Sequence, residues 1–306
     1  MLEPKHVLTT DQFEKEGLLA LFEEAEEMEK VLEVGGEDIL HGKIMATLFF
    51  EPSTRTRFSF ETAMLRLGGK VISGADMMNT SSTKKRETLE DTGKTVSQMA
   101  DVIVMRHPEP GSVTKLASCC DVPVINGGDG ANDHPTQGLL DVYTIWKEKG
   151  ALDGITVGIV GDLKYGRVVH SQCKLLKQFD VKFVFVSPKE LEIPAEIAEE
   201  LSEAGREVEL SENLDDVIGK PDVISMTRVQ EERFESKEDY EKHAGAYVLN
   251  GELMKKVKDD AIIIHPLPRV DEISPEVDED ARAKYFEQPR NGVAVRMALL
   301  KEVLGV

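Results

Sequence analysis

Apolar positions recur along this chain in two alternating rhythms. Leu18, Leu19, Leu21 and Phe22 recur at helical spacing, which predicts an amphipathic helix from about residue 10 to residue 32. Short apolar runs rich in β-branched residues follow, each trailed by a helical pattern. Residues 44–50, 102–105 and 122–125 read as strands, and 58–67, 113–120 and 135–146 as helices. Pro135 suits the first turn of its helix, where a missing N–H costs nothing. Gly150 to Gly154 breaks the series, which then restarts with strands at 155–160, 182–186, 223–225 and 261–264. A helix is expected over 166–179, and another over 293–304 closes the chain. Strands alternating with helices imply parallel sheets covered on both faces. The expectation is an α/β chain of two domains, each a parallel sheet flanked by helices. Ligands of such sheets bind where strands end and helices begin, so the active site is expected in a cleft between the domains.

Composition narrows the function. The chain has 306 residues, 41% hydrophobic and 31% charged, enough for two ordinary cores. A formal charge of −20 repels a polyanion and argues against nucleic-acid binding. A small anionic substrate fits only if positive charge is concentrated locally against that field. No apolar run approaches membrane-spanning length, and Met1-Leu2-Glu3-Pro4 lacks a charged-then-apolar signal pattern, so a cytoplasmic protein is expected. Cys119, Cys120 and Cys173 are odd in number and lack metal-ligand spacing, which predicts buried free thiols and no bound metal.

The chemically loaded segments fall at strand ends. Ser53-Thr54-Arg55-Thr56-Arg57 follows a strand and the turn-like Glu51-Pro52, and opens a helix. Free N–H groups and the helix dipole favour an anion there, and three hydroxyls with two guanidiniums suit a phosphate. A capped helix with solvent-facing arginines is the alternative. Arg106-His107-Pro108 puts a guanidinium at another strand end, and His134-Pro135-Thr136-Gln137 opens another helix. His134 could donate to a carbonyl oxygen and Gln137 bind an amide, or both could simply cap the helix. In the second half, Lys164-Tyr165-Gly166-Arg167, Thr227-Arg228-Val229-Gln230 with Arg233, and His265-Pro266-Leu267-Pro268-Arg269 each follow a strand. Two arginines on separate loops can clamp a dicarboxylate, each pairing bidentately with one carboxylate. A cis bond before Pro268 would aim backbone carbonyls at an amine. Gly158-Ile159-Val160-Gly161-Asp162 lacks the full glycine pattern and the acidic ribose ligand of a dinucleotide site.

These segments resemble the aspartate/ornithine carbamoyltransferases over essentially the whole chain, and the aspartate branch in particular. The resemblance rests on Phe50-Glu51-Pro52 with Ser53 to Arg57, on Arg106-His107-Pro108, and on His134-Pro135-Thr136-Gln137. It rests equally on Gly161-Asp162-Leu163-Lys164-Tyr165-Gly166-Arg167, Thr227-Arg228-Val229-Gln230 and His265-Pro266-Leu267-Pro268. The last three are similar to the aspartate branch; the ornithine branch typically has cysteine where this chain has Pro266.

The resemblance implies carbamoyl transfer from carbamoyl phosphate to the amine of L-aspartate, in pyrimidine synthesis, without metal or organic cofactor. It implies a carbamoyl phosphate-binding domain over 1–134 with 292–306 packing back on it, a linking helix over 135–149 and an aspartate-binding domain over 150–291. Ser53, Thr54, Arg55, Thr56 and Arg106 would hold the phosphate. Thr56, Arg106 and His134 would meet the carbonyl oxygen, and Gln137 the carbamoyl nitrogen. Arg167, Arg228 and Gln230 would take the carboxylates of aspartate, with the backbone of Pro266, Leu267 and Pro268 near its amine. Glu51 and Arg233 would partner in domain closure, and Arg57 is left to support. Residues 79–87 read alone as a solvated polar loop; the resemblance places Ser81 and Lys85 in a neighbouring subunit's site. A homotrimer with shared sites follows, with zinc-containing regulatory chains as possible partners. Arg86 departs from relatives, where glycine is common.

Overall fold

A computed structural model of the chain describes residues 6–80, 86–229 and 245–306. The chain folds as two compact units, one of residues 1–140 with 289–306 and one of residues 141–288. The first carries a four-stranded sheet in the order β2-β1-β3-β4, with β1 at Ile44–Phe49, β2 at Lys70–Gly74, β3 at Val102–His107 and β4 at Val124–Asp129. Every pairing is parallel. Strands β1, β3 and β4 are buried almost throughout, the polar Thr47, Arg106 and Asn126 included, as befits a parallel sheet covered on both faces. Ala46, Leu48, Ile103 and Met105 pack with Val113 and Leu116 into one core.

The second unit carries a five-stranded parallel sheet in the order β7-β6-β5-β8-β9. Its strands are β5 at Thr156–Val160, β6 at Lys182–Val186, β7 at Val208–Ser211, β8 at Val223–Met226 and β9 at Ile262–Ile264. Val160, Val184, Val186, Ile224, Met226 and Ile263 form its core. Burying a side chain of this kind contributes roughly 1.5–3 kcal/mol. Two domains, each a parallel sheet flanked by helices, therefore agree with the alternating pattern of the sequence.

Some expected elements differ. The first helix is split into a short 3-10 turn, Thr10–Gln12, and a helix over Lys15–Glu33. Phe13 between them is extended and 4% exposed, so burying its ring breaks the helical run. Gln12 stabilises the break by accepting from the N–H groups of Leu8 and Thr9 at 2.6 and 3.0 Å. The helix expected from residue 58 starts at Thr54, and the last helix runs over Gln288–Leu304, starting before residue 293. All three cysteines are free, but only Cys173 is buried; Cys119 and Cys120 are half-buried. Strands β2 and β7, both at sheet edges, had no apolar run to announce them. Among the described residues no helix is long and apolar enough to cross a membrane.

Candidate active site

The first group of predicted residues assembles at the carboxyl ends of β1, β3 and β4. Parallel register sets Phe49 beside Arg106, and the N–H of Phe50 donates to the Arg106 carbonyl at 2.9 Å. The chain then turns through Glu51-Pro52 into the helix Thr54–Arg66. Ser53 occupies the N-cap position, yet its hydroxyl makes no capping hydrogen bond. The helix start therefore keeps its N–H groups and its positive dipole end for an anion. Thr54 and Arg55 are exposed, whereas Thr56 is buried. Thr56 Oγ1 lies 3.4 Å from His134 Nε2, so the two motifs meet side chain to side chain.

Arg57 faces away from this group. Its Nη1 donates to Ser73 Oγ at 3.0 Å and lies 3.8 Å from Glu61, which accepts from Thr47 and Ser73 at 3.0 and 2.6 Å. These contacts tie the first helical turn to Ser73 of β2.

Arg106 is 9% exposed, with Nη1 donating to the Gly127 carbonyl at 3.2 Å and Nε 3.0 Å from Glu51 Oε2. Burial pushes its pKa below the ordinary guanidinium value, the Glu51 carboxylate offsets part of that, and repulsion from Arg55 adds to it. Two cations held this close, one of them desolvated, make a site that gains from a dianion. His134 is 3% exposed, and its N–H donates to Asp133 Oδ1 at 2.7 Å. The other Asp133 oxygen accepts from the Thr10 N–H and hydroxyl at 2.7 and 2.9 Å, tying the loop to the N-terminal segment. Gln137 is half-buried in the first turn of the helix Pro135–Lys149.

One participant was not expected. Arg296, 2% exposed on the final helix, donates to Ser59 Oγ at 2.9 Å and to Thr136 Oγ1 at 3.2 Å, and stacks 4.9 Å over the Phe60 ring. It joins the helix that starts after Ser53 to the helix that follows His134. The signal was present as a single cation inside the apolar run Val293-Ala294-Val295-Arg296-Met297-Ala298.

The second group lies at the carboxyl ends of β5, β8 and β9, three neighbours in one sheet. Arg167 is half-buried and opens the helix Arg167–Leu176. Thr227 and the half-buried Arg228 follow β8, where the Thr227 N–H donates to the Val160 carbonyl at 2.8 Å. Gly161, at φ +125°, lets this loop approach: a Cβ there would lie 2.1 Å from the Thr227 carbonyl oxygen. One cavity of this unit is lined by Gly161, Thr227, Arg228, Asp271 and Glu272, among others. After β9 the Leu267–Pro268 bond is cis and Leu267 has φ +52°. A left-handed leucine costs roughly 1–2 kcal/mol, so its surroundings must hold it there. Arg269 is directed away, pairing with Asp278 (Nη2–Oδ2 2.6 Å) and Tyr285.

Ser81, Lys85, Gln230 and Arg233 lie outside the described residues. Arg86 is described and adopts φ +66°, a conformation that glycine takes without cost. Among the described residues, no three His, Cys, Asp or Glu side chains group as a metal site.

Residues 5–147 match the carbamoyl-P binding domain of aspartate/ornithine carbamoyltransferases, and residues 153–303 match the Asp/Orn binding domain. The chain belongs to the aspartate/ornithine carbamoyltransferase family. The first group of residues thus falls in the segment matching the carbamoyl-P domain and the second in that matching the Asp/Orn domain. The chain is 52% identical over 302 residues to the aspartate carbamoyltransferase catalytic subunit of Methanopyrus kandleri, covering 98% of this chain and 97% of that one. It is similar to the catalytic subunit of M. jannaschii aspartate transcarbamoylase, with a TM-score of 0.92 and 47% identity over 98% of each chain. It is also similar to the Trypanosoma cruzi aspartate transcarbamoylase solved with carbamoyl phosphate and aspartate, with a TM-score of 0.92 and 40% identity over 98% of this chain and 96% of that one.

Proposed function

We infer that this chain transfers the carbamoyl group of carbamoyl phosphate to the amine of L-aspartate, giving N-carbamoyl-L-aspartate and phosphate for pyrimidine synthesis. The observation that carries the reading is the convergence of Arg106 with the Thr56–His134 couple at one set of strand ends. A phosphate on Arg55, Arg106 and the helix N-terminus leaves its attached carbonyl beside Thr56 and His134. Ser53, Thr54 and, from a neighbouring subunit, Ser81 and Lys85 complete the phosphate shell, and Gln137 takes the carbamoyl nitrogen.

Chemistry follows from these placements. The neutral amine of aspartate attacks the carbonyl carbon, and negative charge grows on the carbonyl oxygen. Donors from Thr56, Arg106 and His134 stabilise that oxyanion, at roughly 3 kcal/mol per donor. Phosphate departs with its charge offset by Arg55 and Arg106 and accepts the amine proton, so no further base is needed. Arg167, Arg228 and Gln230 hold the two carboxylates of aspartate, and the backbone of Pro266, Leu267 and Pro268 orients its amine. Positioning the two reactants contributes several kcal/mol more, on the order of effective-molarity values. Glu51 and Arg233 are assigned to domain closure; in this structure Glu51 is held by Arg106. The account needs no cofactor.

The active unit we propose is a homotrimer with shared sites. Phe58 and Leu65, seven residues apart on one helix face, are 51% and 60% exposed, and Ile72 on the edge strand β2 is 45% exposed. Such a surface suits a second copy of the chain. Free thiols fit a reducing cytoplasm. Added mass on the native assembly would reveal zinc-containing regulatory chains as further partners.

The test is Arg167→Ala. We expect the aspartate KM to rise by roughly 100-fold or more, with the carbamoyl phosphate KM within about threefold of the parent. Equal losses for both substrates would show that the carboxylate clamp is misassigned.

A further inference from the structure

The loop after β9 must present backbone carbonyls in a fixed direction if it is to orient an amine, and its own contacts show how that direction is set. Leu267 sits in the left-handed region, and its N–H donates to His265 Nδ1 at 2.8 Å. Because Nδ1 accepts, the ring proton is on Nε2, which donates to Glu272 Oε1 at 2.7 Å. Glu272 Oε2 accepts from the N–H groups of Val270 and Asp271 at 3.0 and 3.1 Å. One carboxylate therefore closes the neck of the loop and selects the imidazole tautomer that leaves an acceptor for Leu267. His265 is 1% exposed and Glu272 6%. Burial alone would raise the Glu272 carboxyl, but the bonds from His265 and the backbone hold it below its ordinary value.

The pair is anchored from beneath by a buried chain of hydrogen bonds. The backbone N–H of His265 donates to Gln288 Oε1 at 2.8 Å, and Gln288 Nε2 donates to Asp141 Oδ1 at 2.7 Å. Asp141 Oδ2 accepts from Gln172 Nε2 at 2.7 Å, and the Gln172 carbonyl accepts from Ser225 Oγ at 3.0 Å. Gln172 lies on the helix that Arg167 opens, and Ser225 on the strand that ends before Arg228. The same network thus registers the loop against both elements carrying the arginines. A fully satisfied buried network of this kind specifies one arrangement of its members.

We propose that Glu272, acting through His265, is a positioning residue that sets the backbone of residues 266–268 toward the amine of aspartate. The proposal rests on the reading of that loop as part of the aspartate site.

The experiment measures steady-state kinetics of Glu272→Gln, His265→Asn, His265→Ala and, in parallel, Arg228→Ala. An amide at 272 cannot accept on both sides, so the aspartate KM is expected to rise by roughly tenfold while that of carbamoyl phosphate stays within about twofold. His265→Asn keeps an acceptor near Leu267 and should raise the aspartate KM less than His265→Ala does, a graded response that also serves if Glu272→Gln fails to fold. An unchanged aspartate KM in Glu272→Gln beside a raised one in Arg228→Ala overturns this proposal and leaves the proposed function standing. Unchanged values in both overturn the aspartate reading and this proposal with it. Losses shared equally by both substrates, with a lowered melting temperature, would assign Glu272 a purely structural part and also overturn it.

Discussion

Arg106 is a cation that the fold keeps in a poor place for a cation. It is 9% exposed, its pKa is depressed by burial and by Arg55, and Glu51 only partly compensates. A phosphate bound there, as proposed, would add to Glu51 the opposite charge that a buried guanidinium lacks. Arg296 is the buried cation on the other side of this arrangement, where it joins Ser59 to Thr136 rather than meeting substrate. For Arg296→Lys we expect stability to fall by about 1–3 kcal/mol, because an ammonium cannot reach both hydroxyls as the planar fork does. We also expect a raised carbamoyl phosphate KM with the aspartate KM nearly unchanged. Thermal melts and paired kinetics check both parts, and an aspartate-selective defect would contradict the placement.

At the scale of elements, the lesson is that each site segment is a strand end followed by a turn or helix start. That grammar is local, so it was legible: Ile44–Phe49 is apolar but for Thr47, and Val102 to Met105 is apolar throughout, because both faces of their sheet are covered. Ser53, Arg106, His134, Arg167 and Arg228 could be placed because each stands just after such a run or at the end of one. What the pattern hid was edge and polar structure. Lys70–Gly74 and Val208–Ser211 are edge strands with one side to solvent, and the helix Leu89–Ser97 packs on the core with only Leu89 and Val96, seven positions apart, around the small Thr92 and Gly93. Long-range polar contacts were equally invisible. Nothing in the local sequence of Gln172, Gln288 or Asp141 announces that they meet, because their contacts span 31 and 147 positions. Arg296 alone carried a hint, as a charge inside an apolar helix.

For the whole molecule, a formal charge of −20 surrounds a substrate pair that is itself anionic. The arginines must therefore work locally, within a screening length of about 10 Å at moderate salt. The exposed apolar side chains of the helix Thr54–Arg66 and of β2 support the proposed trimer, and sharing of sites can be read by mixing. Inactive Arg55→Ala trimers exchanged with inactive Lys85→Gln trimers should regain part of the activity, since some mixed trimers assemble one unmutated site. Exchange without recovery would mean that each chain completes its own site. The identity of the acceptor is the decisive point. Phosphate release from carbamoyl phosphate should be measured with L-aspartate and with L-ornithine in parallel. The two arginines assigned to carboxylates predict turnover with aspartate and none with ornithine, whose cationic side chain would meet like charge. Turnover with ornithine alone would contradict the account.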